Sequence, residues 1–191
     1  MGYAVTWCAV REEAADQLLS HLGLSATGET EEDPESRFSS AKLMTGWRLI
    51  WSNKYDCPIL MKGLSTFAGG HDVVACQIEE HVMASSAELW VSGTRRWWLS
   101  HEGEDGPKGL ETDGELPQCF SAIQKEMEDA QRAEGGVDAD VDYIFEIPLK
   151  VAQTLVGFKH DESYEPVVQR GFMVLSGGRT EKGFLSRLFG K

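Results

Sequence analysis

The sequence predicts an α+β fold: a mainly antiparallel sheet packed by three or four helices, in a single domain over residues 1–180 with a short basic, apolar tail over 181–191. Three observations predict it. Strand-like runs of period two cluster between Asp72 and His101. Three segments open on proline and close on glycine: Pro58 to Gly69, Pro117 to Gly135 and Pro148 to Gly157. That punctuation marks helices, because proline in the first turn forfeits only an N–H without an intrahelical partner, and glycine suits the left-handed cap. The composition is 41% apolar, with six Trp, eight Phe and four Tyr in 191 residues, enough for one sizeable core.

Along the chain, Tyr3 to Val10 is rich in β-formers and reads as a strand. Glu12 to Leu22 follows as a helix, with Ala15, Leu18, Leu19 and Leu22 on one face, acids at its start and Gly23 at its end. Thr27 to Ser40 loses all periodicity and is expected to be a solvated acidic loop. Ala41 to Ser52 reads as a strand pair or one bent strand, with Trp47, Leu49 and Trp51 on a common face. In the three Pro-to-Gly helices the apolar stripes are Leu60, Leu64, Phe67; Phe120, Ile123, Met127; and Val151, Ala152, Leu155.

The sheet signal is strongest in Asp72 to Val82, Ala87 to Ser92 and Arg95 to His101. Gly93-Thr94 between the last two suits a type II′ hairpin turn, which would pair Trp90 with Trp97 and Leu89 with Trp98. Both faces of this sheet are partly apolar, so cover is expected on both sides. Glu102 to Glu115 is expected to protrude. Val141 to Ile147 alternates like a strand, and Val167 to Leu175 like another, interrupted by Gly171. Phe184, Leu185, Leu188 and Phe189 in the tail are spaced for one face of a short helix.

Charge constrains function more than any motif does. The formal net charge is −13. Thirteen acids between Glu102 and Asp142 face only Lys108, Lys125 and Arg132, and Glu29 to Glu35 adds five acids without a base. Such a field repels nucleic acid and anionic lipid and attracts a basic protein partner. No apolar run approaches the ~20 residues of a membrane span. The N-terminus lacks the pattern of a signal peptide. Gly2 and Thr6 fit a loose myristoylation pattern, but a strand starting at Tyr3 is the preferred reading. Cys8, Cys57, Cys76 and Cys119 are widely spaced with no CxxC pair, which points to reduced thiols, no zinc and a cytoplasmic protein.

Candidate chemistry divides in two. His71, Asp72, Glu79, His81 and His101 are the residues that a metal- or His/carboxylate-dependent hydrolase would use, provided that they converge; His160-Asp161 is a second His-Asp neighbour pair. No GxSxG elbow, HExxH motif or complete phosphate loop occurs, and no metal or cofactor is implied. Arg95, Arg96, Trp97 and Trp98 combine cationic and aromatic groups as protein hot spots do. Phe184, Leu188 and Phe189 would serve an assembly subunit that docks through its tail. The leading expectation is an acidic, soluble, non-catalytic binding protein for a basic partner, with the hydrolase and the assembly subunit as alternatives.

Overall fold

A computed structural model describes residues 2–177; the tail with Phe184, Leu188 and Phe189 lies outside the described residues. The fold is α+β. Among the described residues nine strands form one sheet in the order β2-β9-β3-β4-β1-β5-β6-β7-β8, every neighbouring pair antiparallel. The strands are β1 (Ala4–Arg11), β2 (Leu24–Glu31), β3 (Phe38–Lys42), β4 (Trp47–Ser52), β5 (Val73–Glu79), β6 (Ala84–Val91), β7 (Thr94–His101), β8 (Leu110–Gly114) and β9 (Phe172–Gly177). Among the described residues five α-helices accompany them: α1 (Ala15–Leu22), α2 (Pro58–Met61), α3 (Leu64–Phe67), α4 (Phe120–Ala133) and α5 (Glu146–Val156).

Strand β1 lies at the centre and is buried from Val5 to Val10, as its unbroken apolar character demands. Its alternate side chains feed two separate cores. Trp7 joins Trp51, Cys76, Ala87 and Leu99 beneath α4 and α5, where Ile147, Val151 and Ala152 are buried. Cys8 joins Ile50 and Ala75 beneath Leu18, Leu22, Leu60 and Leu64 of the first three helices. The two faces are therefore covered by different parts of the chain.

Several local expectations are corrected. Most of the supposed acidic loop, Thr27 to Ser40, is ordered as edge strand β2 and the start of β3. β2 has no apolar alternation because almost all of it is exposed, which leaves no periodicity to read. The supposed protrusion after Glu102 is a 3₁₀ segment followed by β8, the opposite edge. Glu29 and Glu31 thus lie on one edge strand, and Glu111 and Asp113 on the other. Pro58 to Gly69 is two single turns rather than one helix, parted at Lys62 and Gly63, where the Gly63 carbonyl lies 3.0 Å from His21 Nε2. Val141 to Ile147 is not a strand. Asp142 Oδ1 accepts the N–H groups of Ile144 and Phe145, at 3.0 and 3.4 Å, and turns the chain directly into α5.

The hairpin turn is Ser92-Gly93, not Gly93-Thr94. Both residues have positive φ, 51° and 76°, as a type I′ turn requires. Val91 pairs with Thr94 and Trp90 with Arg95. A bulge then leaves Arg96 unpaired, so that Leu89 faces Trp97 and Glu88 faces Trp98. Trp90 and Trp97 consequently lie on opposite faces, contrary to the register expected from the sequence.

Candidate functional site

The hydrolase residues do not converge. His71 stacks on Phe67, with ring centroids 4.9 Å apart, and its Nε2 meets Gln17 Oε1 at 2.9 Å, with Asp72 exposed beside it. His81 lies in the turn after β5, and its Nδ1 meets Glu79 Oε1 at 2.7 Å on the surface. His101 is fully buried at the end of β7, and its Nε2 meets Asp142 Oδ2 at 2.8 Å. These are three separate places. Among the described residues no group of three His, Cys, Asp or Glu side chains could hold a metal ion.

The most connected titratable cluster involves residues that the sequence did not single out together. His160, 1% exposed, presents Nε2 to Glu80 Oε1 at 2.8 Å, while Glu80 Oε2 accepts the Tyr3 N–H at 2.8 Å. Glu80 and Asp142 line the same cleft of ≈ 730 Å³, beside Met83, Met127 and Glu146. Asp142 is ionised more readily than a free carboxyl. Burial opposes this, but the His101 contact and the N–H groups of Phe145 and Ile144 outweigh it. Each of these carboxylates has both oxygens engaged within the fold. They act as clasps: one holds the turn before β6 to the 158–161 segment, the other holds the α4–α5 connection to β7. Lys159 is clasped likewise, 3.1 Å from Glu146 Oε2 and 2.6 Å from Asp161 Oδ1. Burial alone would lower its pKa, yet these two acids raise it, so the amine stays protonated.

The other aromatic-cationic candidates meet beside the β8 edge. Trp97 is 2% exposed and belongs to the core under α4 and α5. Trp98 points the other way and is half-buried. The apolar cluster on that second face reaches only as far as Trp90, and no residue of β7 or β8 belongs to it. Trp98 is therefore left at the open end of the face. Its cross-strand neighbours are Glu88 on β6 and Asp113 on β8. Arg95 sits over its ring at 5.6 Å from the centroid, and reaches Glu88 Oε2 at 3.8 Å and Asp113 Oδ2 at 3.4 Å. Arg96, the bulge residue, is exposed.

A polar row crosses the same face: Thr6, Gln77, Ser86, Ser100 and Glu111 occupy matching positions on successive strands. Ser100 and Glu88 are each only 7% exposed, although no helix-borne apolar cluster covers this end. Gln77 Oε1 is buried without a hydrogen-bond partner among the described residues. Burial raises the pKa of Glu88, and nearby Trp90 and Arg95 only partly offset the shift. This open end is thus a half-dry, polar and aromatic surface bordered by acids. The sequence contained one usable signal for it, the adjacent Trp97-Trp98 pair, since neighbouring strand residues cannot both enter one core.

Comparisons with protein-family models, with curated proteins and with solved structures give no match to this chain. No described helix is long and apolar enough to cross a membrane.

Proposed function

We propose that this chain is a non-catalytic binding protein whose open sheet face, centred on Trp98 and bordered by the acids of β8, receives a basic protein partner. One observation carries the reading: Trp98 stands half-buried beyond the limit of its own core, ringed by Glu88, Arg95 and Asp113. Such an aromatic offers a large rigid contact area, and the surrounding charge speeds encounter with a cation-rich surface. The acids stay available. Between Glu102 and Asp142, Asp113, Glu126 and Asp129 meet a Lys or Arg and Asp142 meets His101, while Glu102, Glu104, Asp105, Glu111 and Glu115 form no ion pair among the described residues.

Three buried or clasped groups, Cys8, Cys76 and Lys159, favour the same reading. Burial raises the thiol pKa values of Cys8 and Cys76, and Lys159 is held in its charged form. The test is affinity capture from native lysate, at low and high salt, by wild type and by a Glu111→Lys/Asp113→Lys double variant. The reading expects basic proteins that wash off as salt rises and that the double variant fails to hold. Equal capture by both proteins rejects it.

A further inference from the structure

We propose that the partner is held through an extended segment that adds to the outer edge of β8 as a further antiparallel strand, with Lys or Arg at alternate positions. This rests on the basic-partner reading above and specifies how that partner is gripped. Among the described residues β8 ends the sheet, and Glu111 to Gly114 are exposed. The Glu115 N–H donates to the Arg96 carbonyl at 2.8 Å, and the pairing with β7 then runs without a shift from Gly114–Trp97 to Leu110–His101. Backbone groups of an antiparallel pair alternate in direction. Glu111 and Asp113 therefore turn theirs toward β7, while the N–H and C=O groups of Leu110 and Thr112 point outward. A row of outward groups with no neighbouring strand is a template for one more. The opposite edge is a poorer template, because the β2 ladder shifts between Ala26 and Thr30, where Gly28 has a φ of 90°.

Side-chain chemistry selects the occupant. Glu111 pairs with Ser100 and Asp113 with Trp98, so both carboxylates lie on the Trp98 face. An added strand sets its residues i and i+2 beside these two acids. A second copy of β8 would bring Glu111 and Asp113 against the same acids, which like-charge repulsion opposes. Lys or Arg at i and i+2 turns the same positions into cross-strand ion pairs. Glu111 forms no ion pair among the described residues, whereas Asp113, 67% exposed, already has Arg95 at 3.4 Å. Glu111 is therefore the main anchor, and the cation beside Asp113 shares that acid with Arg95. Residue i+1 falls beside Thr112 on the other face, where Thr112 is exposed, so a polar β-former suits it. Gly114, with a φ of 86°, ends the strand, so the segment needs only the length of β8, five residues.

Synthetic peptides test it on the full chain at low salt. The probe is an alternating Lys-Thr octapeptide with blocked ends, and the control is a block peptide of the same composition, lysines first. The alternating peptide should bind about tenfold more tightly than the block peptide, and should slow amide exchange at Leu110 and Thr112 several-fold. In the added strand the threonine N–H groups point to β8 and the lysine N–H groups away from it. N-methylating the threonines should therefore weaken binding about tenfold, the equivalent of one or two backbone hydrogen bonds, and N-methylating the lysines about twofold at most. Thr112→Pro should weaken it about tenfold as well, with the fold kept, because the Thr112 N–H points away from β7. The peptide modifications keep the test valid even where that variant fails to fold. Binding that ignores spacing or the site of methylation, yet is lost in the Glu111→Lys/Asp113→Lys variant, overturns the added strand and leaves the basic-partner reading standing. No binding of either peptide, or binding that the double variant does not alter, overturns both.

Discussion

The two faces of β6 and β7 are finished differently. On one, Ala87, Leu89, Trp97 and Leu99 meet α4 and α5, and the core closes over them. On the other, cover from the first three helices stops at Trp90, and Glu88, Trp98 and Ser100 lie beyond it. Adjacent tryptophans of one strand therefore have different tasks: Trp97 holds the fold together, and Trp98 forms a surface. The face that lacks helical cover carries a nearly buried carboxylate, Glu88, beside the half-buried Trp98.

Substitutions can break or sharpen this contrast. The largest effect belongs to Trp97→Ala, which opens a cavity in the closed face and should cost about 3–5 kcal/mol in urea denaturation. Asp142→Ala comes next. It strands the buried His101 that ties β7 to the start of α5, and should cost about 3 kcal/mol. Because the folded carboxyl of Asp142 has a depressed pKa, its contribution is present above about pH 4, the unfolded value, and is lost as pH falls through the folded one. The stability gap between wild type and Asp142→Ala should therefore narrow in acid, read from midpoints at a series of pH values.

Trp98→Ala should reverse the order seen at Trp97. Its stability loss should stay below about 1.5 kcal/mol, while binding of the basic partner should weaken by about 2 kcal/mol or more, some thirtyfold. A loss of stability equal to that of Trp97→Ala would show that the two faces are not different in kind. The smallest effect is a gain. Burial raises the folded pKa of Glu88, so ionising it opposes folding increasingly as pH rises through that value. Glu88→Gln should therefore raise stability at neutral pH by up to about 1 kcal/mol, or about 2–4 °C in Tm, and by less near pH 4.

The contrast also explains what could be read in the residues and what could not. Elements with one buried stripe were legible: Leu18, Leu19 and Leu22 placed α1, Phe120 and Met127 placed α4, and Trp47, Leu49 and Trp51 placed β4. Edge strands β2 and β8 were not, because their exposed side chains carry no period and their acids resemble loop residues. The one-residue shift of the turn paired Trp90 with Arg95, and the bulge at Arg96, which leaves no composition signal, then put Trp90 and Trp97 on opposite faces. The alternation of Val141, Tyr143, Phe145 and Ile147 imitated a strand, but the Asp142 side chain captured the backbone N–H groups that a strand would have paired. At the candidate site, Arg95, Arg96, Trp97 and Trp98 were legible as a cationic and aromatic group, but the bulge that decides which tryptophan faces outward was not. The clasps His101–Asp142 and His160–Glu80 join residues 41 and 80 positions apart, and no local pattern encodes such pairs.

Oxidative footprinting of the two adjacent tryptophans, in the free protein and in its complex with a captured basic partner, tests the central claim most directly. Trp97 should stay unreactive in both states, and Trp98 should be oxidised in the free protein and shielded in the complex. Trp98 oxidised equally with the partner bound would contradict the account.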